Sequence, residues 1–365
     1  MGLRIARVCP GFLPLEDGYG YYITFTMLSK AQAALGNDVT VFYPNGGHRS
    51  EEWGYTVNPV RRSIPGFLFF NARLVEKIQG FDVIHSHARA ALPILSAKKR
   101  PPAIVHLHGL PYRATERTSL TDLQDLRAYA SYRLFLRKAD HVITYCESLK
   151  RRVESLFGLP ADRVTYVPNG VDPALFKGNG DLKDQLGVED SRVVLYVGRF
   201  SEIKGIFEFL ESIPLIKQRV PDAKFLFVGC NSQLEKTLQD MGIREDCILV
   251  PHVPHDRVAD YYRSADVHVA LSKVYGYQKT VLESLASGTP VVVSDYPDGR
   301  DVVGRAGVPV DPSKPSDIAR GVETVLQDRK IARWARSRSR LIRSSYTWKR
   351  SAESIQAVYD ELLSR

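Results

Sequence analysis

The segment LYVGRFSEIKG, Leu195–Gly205, runs from an apolar strand through a glycine and two cations into a helix. The residues leading into it, SRVVLYV, are apolar at consecutive positions. A strand apolar on both faces is buried on both faces, which is the condition of a parallel sheet covered by helices. Gly198 closes the strand without a side chain, so the backbone there can approach a ligand closely. Arg199 and Lys204 follow, and Lys204 stands where the next helical periodicity begins. A helix start is electropositive before any side chain is added. A guanidinium fork and an ammonium point charge placed there make a cradle for a phosphate or diphosphate. The plainer alternative is two surface cations, one of them paired with Glu202.

The same alternation extends in both directions. LRIARV, DVTVFY, FDVIHSH, PAIVHLHG, ADHVITY and DRVTYVPN read as strands before the segment. AKFLFVG, CILVPH, ADVHVALS and TPVVVSD read as strands after it. Between them, residues 24–35, 120–137 and 203–219 carry the 3.6-residue period of helices. The chain is therefore a repeated βα pattern in two halves, an α/β protein of two doubly wound domains. Val167–Ser191, rich in Gly, Pro, Asn and Asp, holds the boundary. This predicts domains at 1–169 and 170–345. The tail 346–365 is a helix with no strand of its own, whose Ile355, Val358, Tyr359 and Leu362 face needs a surface to cover it.

Composition narrows the function. The chain has 365 residues, 44% apolar and 25% charged, the balance of a soluble globular protein. No apolar run reaches the length of a membrane span, and the first residues read as a strand and not as a secretion signal. Cys9, Cys146, Cys230 and Cys247 lie far apart with no CxxC pair, as expected of reduced thiols in a cytoplasmic protein. The net charge of +9 is uneven: Met1–Gly170 carries 22 Lys+Arg against 14 Asp+Glu, the rest 28 against 27. Such an excess suits anionic lipid, phosphorylated substrates or a solvated basic surface. It is not gathered into a recognition helix or stacking platform, which argues against nucleic acid.

Open parallel sheets bind ligands beyond the carboxyl ends of their strands, and three further stretches fall there. VYGYQKTVLESLASGTPVV, Val274–Val292, is a glycine turn, a helix and an apolar strand. Tyr275, Gly276, Tyr277, Gln278, Lys279 and Thr280 form the turn and helix start, with backbone N–H groups suited to an anion. Glu283, one to two turns inside, accepts hydrogen bonds only when ionised. Its partner is either a vicinal diol such as a ribose or Lys279, four residues earlier. HLHG, His106–Gly109, places His106 and His108 on one face, and VIHSH adds His85 and His87 on the preceding strand. No HExxH-type spacing accompanies them, so no metal is expected. In the loop LEDGYGYYITFT a Gly-x-Gly ending at Gly20 precedes a helix, too loose a match for a dinucleotide fingerprint.

Taken in order, the loop around Gly20, HLHG, VPNGVD, VGRFSEIKG, VLESLASGTPVVVSD and YTWKR resemble the family-4 glycosyltransferases of the GT-B fold. The resemblance spans nearly the whole chain. It implies two Rossmann-like domains facing an interdomain cleft and a retaining transfer of a sugar from a nucleotide diphosphate sugar. Arg199 and Lys204 match the residues that hold the diphosphate and stabilise its charge as it leaves, and His108 matches the histidine near the donor sugar. Glu283 matches the second Glu of the E-x7-E motif, which holds the ribose. Gly20 matches the second Gly of the phosphate-facing loop, and the tail helix one that crosses back to the first domain. No cofactor or metal is implied; the leaving phosphate itself is described as taking the acceptor's proton. The sequence departs from the pattern at Tyr275, where the family has its first Glu, at Tyr19 and at Gln278. These changes imply a different donor sugar, a different grip on it, or a catalytically weakened scaffold protein. The acceptor, a glycan or a lipid-linked one, is expected against the first domain. There Phe67, Phe69 and Phe70 beside Arg61 and Arg62 either meet an anionic membrane or fill a core.

Overall fold

The computed structural model describes residues 2–9, 20–44, 54–60, 74–87, 92–110, 123–178, 180, 182–230, 232–273 and 279–365. Phe67, Phe69, Phe70, Tyr19, Tyr275, Gly276, Tyr277 and Gln278 lie outside them. The chain divides into two units, Met1–Gly170 with Trp348–Arg365, and Val171–Thr347.

The first unit is built on β1 (Arg4–Val8), β2 (Asp38–Pro44), β3 (Thr56–Val60), β4 (Val83–His87), β5 (Ala103–Leu107), β6 (His141–Thr144) and β7 (Val164–Tyr166). They lie in the order β3-β2-β1-β4-β5-β6-β7, and every pairing is parallel. The strand order reverses between β1 and β4, so the connections leaving those two strands run to opposite sides. That divergence opens the crevice in which doubly wound sheets bind ligands. β4, β5 and β6 are buried at every residue, which is why they read as unbroken apolar runs. Helix α1 (Gly20–Ala34), α2 (Leu123–Lys138) and α3 (Glu147–Phe157) belong to this unit.

The tail belongs to it too. Trp348–Ser364, the last helix of the chain, lies against α1. Ile355, Val358 and Tyr359 join the core formed by Ile5, Phe25, Leu28, Val39, Val41 and Ile104, and Leu362 packs at its margin. Ser351 Oγ donates to the Pro168 carbonyl at 2.7 Å, fastening the start of the tail.

The second unit has β8 (Arg192–Val197), β9 (Ala223–Val228), β10 (Cys247–Val250), β11 (Val267–Ala270), β12 (Val291–Ser294) and β13 (Gly307–Val310). The order is β10-β9-β8-β11-β12-β13, again wholly parallel, reversing between β8 and β11. Tyr196, Phe209, Phe225 and Phe227 stack through its core, with Ile206, Ile213 and Val322. Its helices are α4 (Ile206–Arg219), α5 (Ser232–Asp240), α6 (Val258–Arg263), α7 (Lys279–Ser287), α8 (Pro297–Val303), α9 (Pro315–Gln327) and α10 (Arg329–Ser345); the tail helix is then α11.

Two strands are absent from the sequence reading, β3 (TVNPV) and β13 (GVPV). Both are sheet edges and both contain a proline. An edge strand needs only one hydrogen-bonding side, so it tolerates the Pro that argues against a strand on sequence grounds. The helical period read from residue 203 begins as α-helix only at Ile206. Glu202–Lys204 is a 3-10 turn, and Gly205 turns the chain between the two with φ of 64°. All four cysteines are buried thiols, as their spacing predicts.

Candidate functional site

The switch point of the second unit collects the cations. β8 delivers Gly198 and Arg199 to its carboxyl end, and Gly198 adopts φ of 154°. The turn is pinned from beneath. Tyr196 Oη donates to the Arg199 carbonyl at 3.1 Å, the Cys230 thiol to the Gly198 carbonyl at 3.1 Å, and Gly198 N–H to the Val228 carbonyl at 2.9 Å. Gly205 cannot be otherwise, since a Cβ there would lie 2.6 Å from the Cβ of Leu271. This close approach of α4 to β11 holds the 3-10 turn, and with it Lys204, against the sheet.

Lys204 is half-buried and forms no ion pair among the described residues. Burial, with the charges of Arg199 and Lys279 nearby, lowers its pKa to about 8. Among the described residues, Glu202 and Glu208 face another lysine. Lys273 Nζ lies 2.5 Å from Glu208 and 3.7 Å from Glu202. The expected alternative, Glu202 pairing with Arg199 or Lys204, is therefore not what the structure contains. Arg199 and Lys204 thus stand together at the carboxyl end of β8, a place able to stabilise an anion.

Glu283 is buried on α7, 4% exposed. Oε1 lies 2.8 Å from Lys279 Nζ and 3.2 Å from His255 Nε2, and Oε2 accepts from Tyr262 Oη at 2.9 Å. Burial alone would push its pKa up. The charge of Lys279, followed by the hydrogen bond and charge of His255, overcomes this and holds the carboxyl well below the usual range. Of the two partners the sequence leaves open, the structure contains Lys279. Among the described residues three of the about four lone-pair positions of an ionised carboxylate are used. His255 and Tyr262 were not singled out from sequence. They reach Glu283 across 28 and 21 residues, and no local pattern encodes that.

In the first unit, His108 follows β5 and is half-buried. His87 Nδ1 and His108 Nε2 are 2.6 Å apart with rings parallel within 3°. His85 Nε2 and His106 Nδ1 are 3.2 Å apart, and His85 Nδ1 lies 2.6 Å from Tyr359 Oη on α11. Burial and then the Arg7 charge lower the His108 pKa to about 4, so the ring is neutral. Gly20 opens α1, the helix packed over this face. Among the described residues, nitrogens of His85, His87 and His106 lie within 4.8 Å of one another and are the set that could hold a metal. Arg7, buried beside them with no carboxylate partner, opposes a second cation.

The profile for Glycosyltransferase Family 4 matches residues 23–175 and that for Glycosyl transferases group 1 matches residues 191–328. An uncharacterized glycosyltransferase of Methanocaldococcus jannaschii is 29% identical over 84% of this chain and 83% of that protein. A D-inositol 3-phosphate glycosyltransferase of Acidothermus cellulolyticus is 27% identical over 78% of this chain and 68% of its own. Sucrose-phosphate synthase from Thermosynechococcus elongatus superposes with a TM-score of 0.81 at 20% identity, over 99% of both chains. Anabaena HepE, solved with UDP and glucose, superposes at 0.81 with 17% identity, covering 98% of this chain and all of its own. Two parallel doubly wound sheets of this kind define the GT-B fold. The chain belongs to the family-4 glycosyltransferases, and it is an enzyme of glycosyl transfer.

Proposed function

We propose that the protein moves a sugar from a nucleoside diphosphate sugar, UDP- or GDP-linked, to a glycan or lipid-linked acceptor, with retention at the anomeric carbon and without a metal. The observation that carries this reading is Lys204, without an ion-pair partner among the described residues, beside Arg199 at the carboxyl end of β8. Breaking the bond between the anomeric carbon and phosphate leaves charge on the departing diphosphate. Fixed cations stabilise that charge most where it develops, which lowers the barrier and not only the donor's dissociation constant. The acceptor oxygen joins the anomeric carbon, and its proton passes to the leaving phosphate. Glu283, oriented by Lys279, His255 and Tyr262, takes the ribose hydroxyls with its remaining acceptor capacity. His108, neutral and held by His87, hydrogen-bonds the donor sugar. The likeness in fold to HepE, whose crystals hold UDP and UDP-glucose, supports a uridine nucleotide as the first donor to try.

Tyr275 in place of a carboxylate favours a second reading, a protein that binds the donor but transfers poorly. One experiment addresses both. Wild type and Arg199→Ala/Lys204→Ala are incubated with a panel of UDP- and GDP-sugars, and release of the nucleoside diphosphate is followed by mass spectrometry. The enzyme reading expects slow donor hydrolysis by wild type and a loss of about 10³-fold or more in the double variant, two transition-state contacts each being worth a factor of about 10². Thermal stabilisation by a donor without turnover supports the scaffold. Equal turnover by wild type and the double variant refutes the assignment of the cations.

A further inference from the structure

The amino-terminal edge of the second unit's sheet, opposite the edge that carries Arg199 and Lys204, has a basic site of its own. A cavity of about 570 Å³ opens there, lined by Arg192 at the start of β8, by Val325 and Leu326 of α9, and by Arg329, Arg333 and Arg336 of α10. This is a volume suited to a small-molecule ligand. Helix α10 carries seven Lys and Arg and no acidic residue in its 17 positions. Two of the seven serve the fold: Arg338 donates to the Val302 and Asp301 carbonyls and Arg343 to the Ala286 carbonyl.

Arg329, Arg333, Arg336 and Arg340, spaced four, three and four residues apart, fall on one face of α10. They are exposed, and none makes an ion pair or side-chain hydrogen bond among the described residues. Like charges at these spacings repel one another, and Arg329 stands in the first turn, where the helix dipole also disfavours a cation. Elsewhere in the chain, exposed helices interleave carboxylates at these spacings, as at Arg151–Glu147 and Lys349–Glu353. The one carboxylate at the cavity, Asp266, is already committed. It accepts from Val193 N–H and Lys183 Nζ, each at 2.9 Å, and lies 4.0 Å from Arg192. The floor of Val325, Leu326 and Ala332 is apolar, and it lowers the local dielectric under the guanidinium groups.

We propose that this cavity binds a small molecule carrying two or more phosphate groups, at a site separate from the one that grips the donor. The planar guanidinium fork matches phosphate oxygens two at a time, and several forks around one concavity select a compact polyanion. A lipid surface fits less well: the basic face has a single large exposed apolar residue at its end, Leu341, and nothing else to insert. A nucleic acid is met by a basic stripe with stacking or groove-reading side chains, whereas these guanidinium groups gather around one concavity.

Tripolyphosphate is the probe, titrated calorimetrically into the full-length protein in low-chloride buffer. Wild type and Arg199→Ala/Lys204→Ala both bind it, and Arg333→Ala/Arg336→Ala weakens binding at least tenfold. These two arginines are exposed, so the melting temperature of that variant stays near wild type. In wild type, hydrogen exchange of peptides covering 329–340 slows when the probe is added. The proposal fails if Arg333→Ala/Arg336→Ala binds as wild type does. It fails equally if Arg199→Ala/Lys204→Ala abolishes all binding while the exchange of 329–340 is unmoved, which would leave only the donor site. Capture by phosphatidylserine vesicles or single-stranded RNA that tripolyphosphate does not displace overturns the small-ligand assignment.

Discussion

Replacing Lys279 by methionine tests the part of the proposed donor site most open to measurement. The Lys279–Glu283 pair has the same i,i+4 spacing as Arg151–Glu147, yet the side chains are 10% and 5% exposed against 76% and 43%. At 2.8 Å and an effective dielectric of about 20, the Coulomb attraction is about 6 kcal/mol. Desolvation of both ions offsets much of that, so the pair is not worth this amount net. Removing one partner is a different matter: it leaves the Glu283 charge buried with only His255 and Tyr262 to hold it, at a cost of about 3–5 kcal/mol. The exposed pair is worth about 0.3–0.5 kcal/mol, so Arg151→Met serves as the control. Urea unfolding followed by circular dichroism measures the total. Hydrogen exchange of peptides covering 279–287 locates it. The double variant Lys279→Met/Glu283→Gln removes both charges and is expected to be more stable than Lys279→Met alone. The sign with pH follows from the depressed Glu283 pKa. Its contribution is fully present above the unfolded value of about 4.3 and is lost as pH falls through the lower folded value. Glu283→Gln should therefore flatten stability against pH below about 4.3. A Lys279→Met variant within about 1 kcal/mol of wild type, or strictly additive costs in the double variant, would show that the pair behaves as a surface pair and refute this reasoning.

Gly205→Ala should destabilise the second unit and lower turnover together. The new Cβ meets Leu271 Cβ at 2.6 Å and the backbone is at φ of +64°, so strain of about 1–3 kcal/mol falls directly on the turn that carries Lys204. Urea unfolding and donor hydrolysis check both, and unchanged values would show that the turn can relax. The His108 ring, with a pKa of about 4, should remain neutral from pH 8 down to about 5. Arg7 on β1, His85 and His87 on β4, and His106 on β5 are the titratable groups facing this column, with Tyr359 from α11. Imidazole proton shifts in an NMR titration, assigned with His108→Ala, report this, and a midpoint near 6.5 would overturn the burial argument.

The central strands were legible because burial on both faces leaves only apolar residues to choose from, as in VVLYV and FLFV. The edges β3 and β13 were not, since exposure relaxes that requirement and admits Pro59 and Pro309. The cations at the end of β8 could be read because strand, glycine and cation are neighbours in sequence. So could Lys279 beside Glu283, one helical turn apart. His255 and Tyr262 could not, because their contacts with Glu283 come from the packing of α6 and the turn before it against α7. The α10 arginines drew no reading from the sequence, because their meaning depends on the cavity that three of them line.

Arg7, which the sequence reading passed over, is a charged side chain on a buried strand. It is wholly buried, and among the described residues its Nε and Nη1 have no hydrogen-bond partner. One nitrogen, Nη2, donates to Gln32 Oε1. Gln32 Nε2 donates in turn to Tyr359 Oη at 2.9 Å, and Tyr359 Oη lies 2.6 Å from His85 Nδ1 and 3.4 Å from Gln32 Oε1. His85 Nε2 in turn lies 3.2 Å from His106 Nδ1. A hydrogen-bonded chain thus runs from Gln32 of α1 through Tyr359 of α11 to His85 and His106. The same guanidinium charge disfavours protonation of all four imidazoles. A column of histidines that could have been a pH-sensitive cluster is held as neutral, oriented hydrogen-bonding groups, and the tail helix supplies the tyrosine that orients them. Truncating the chain before Trp348 would remove that tyrosine along with the apolar face of α11, which makes the tail part of the histidine column's chemistry as well as of the first unit's core.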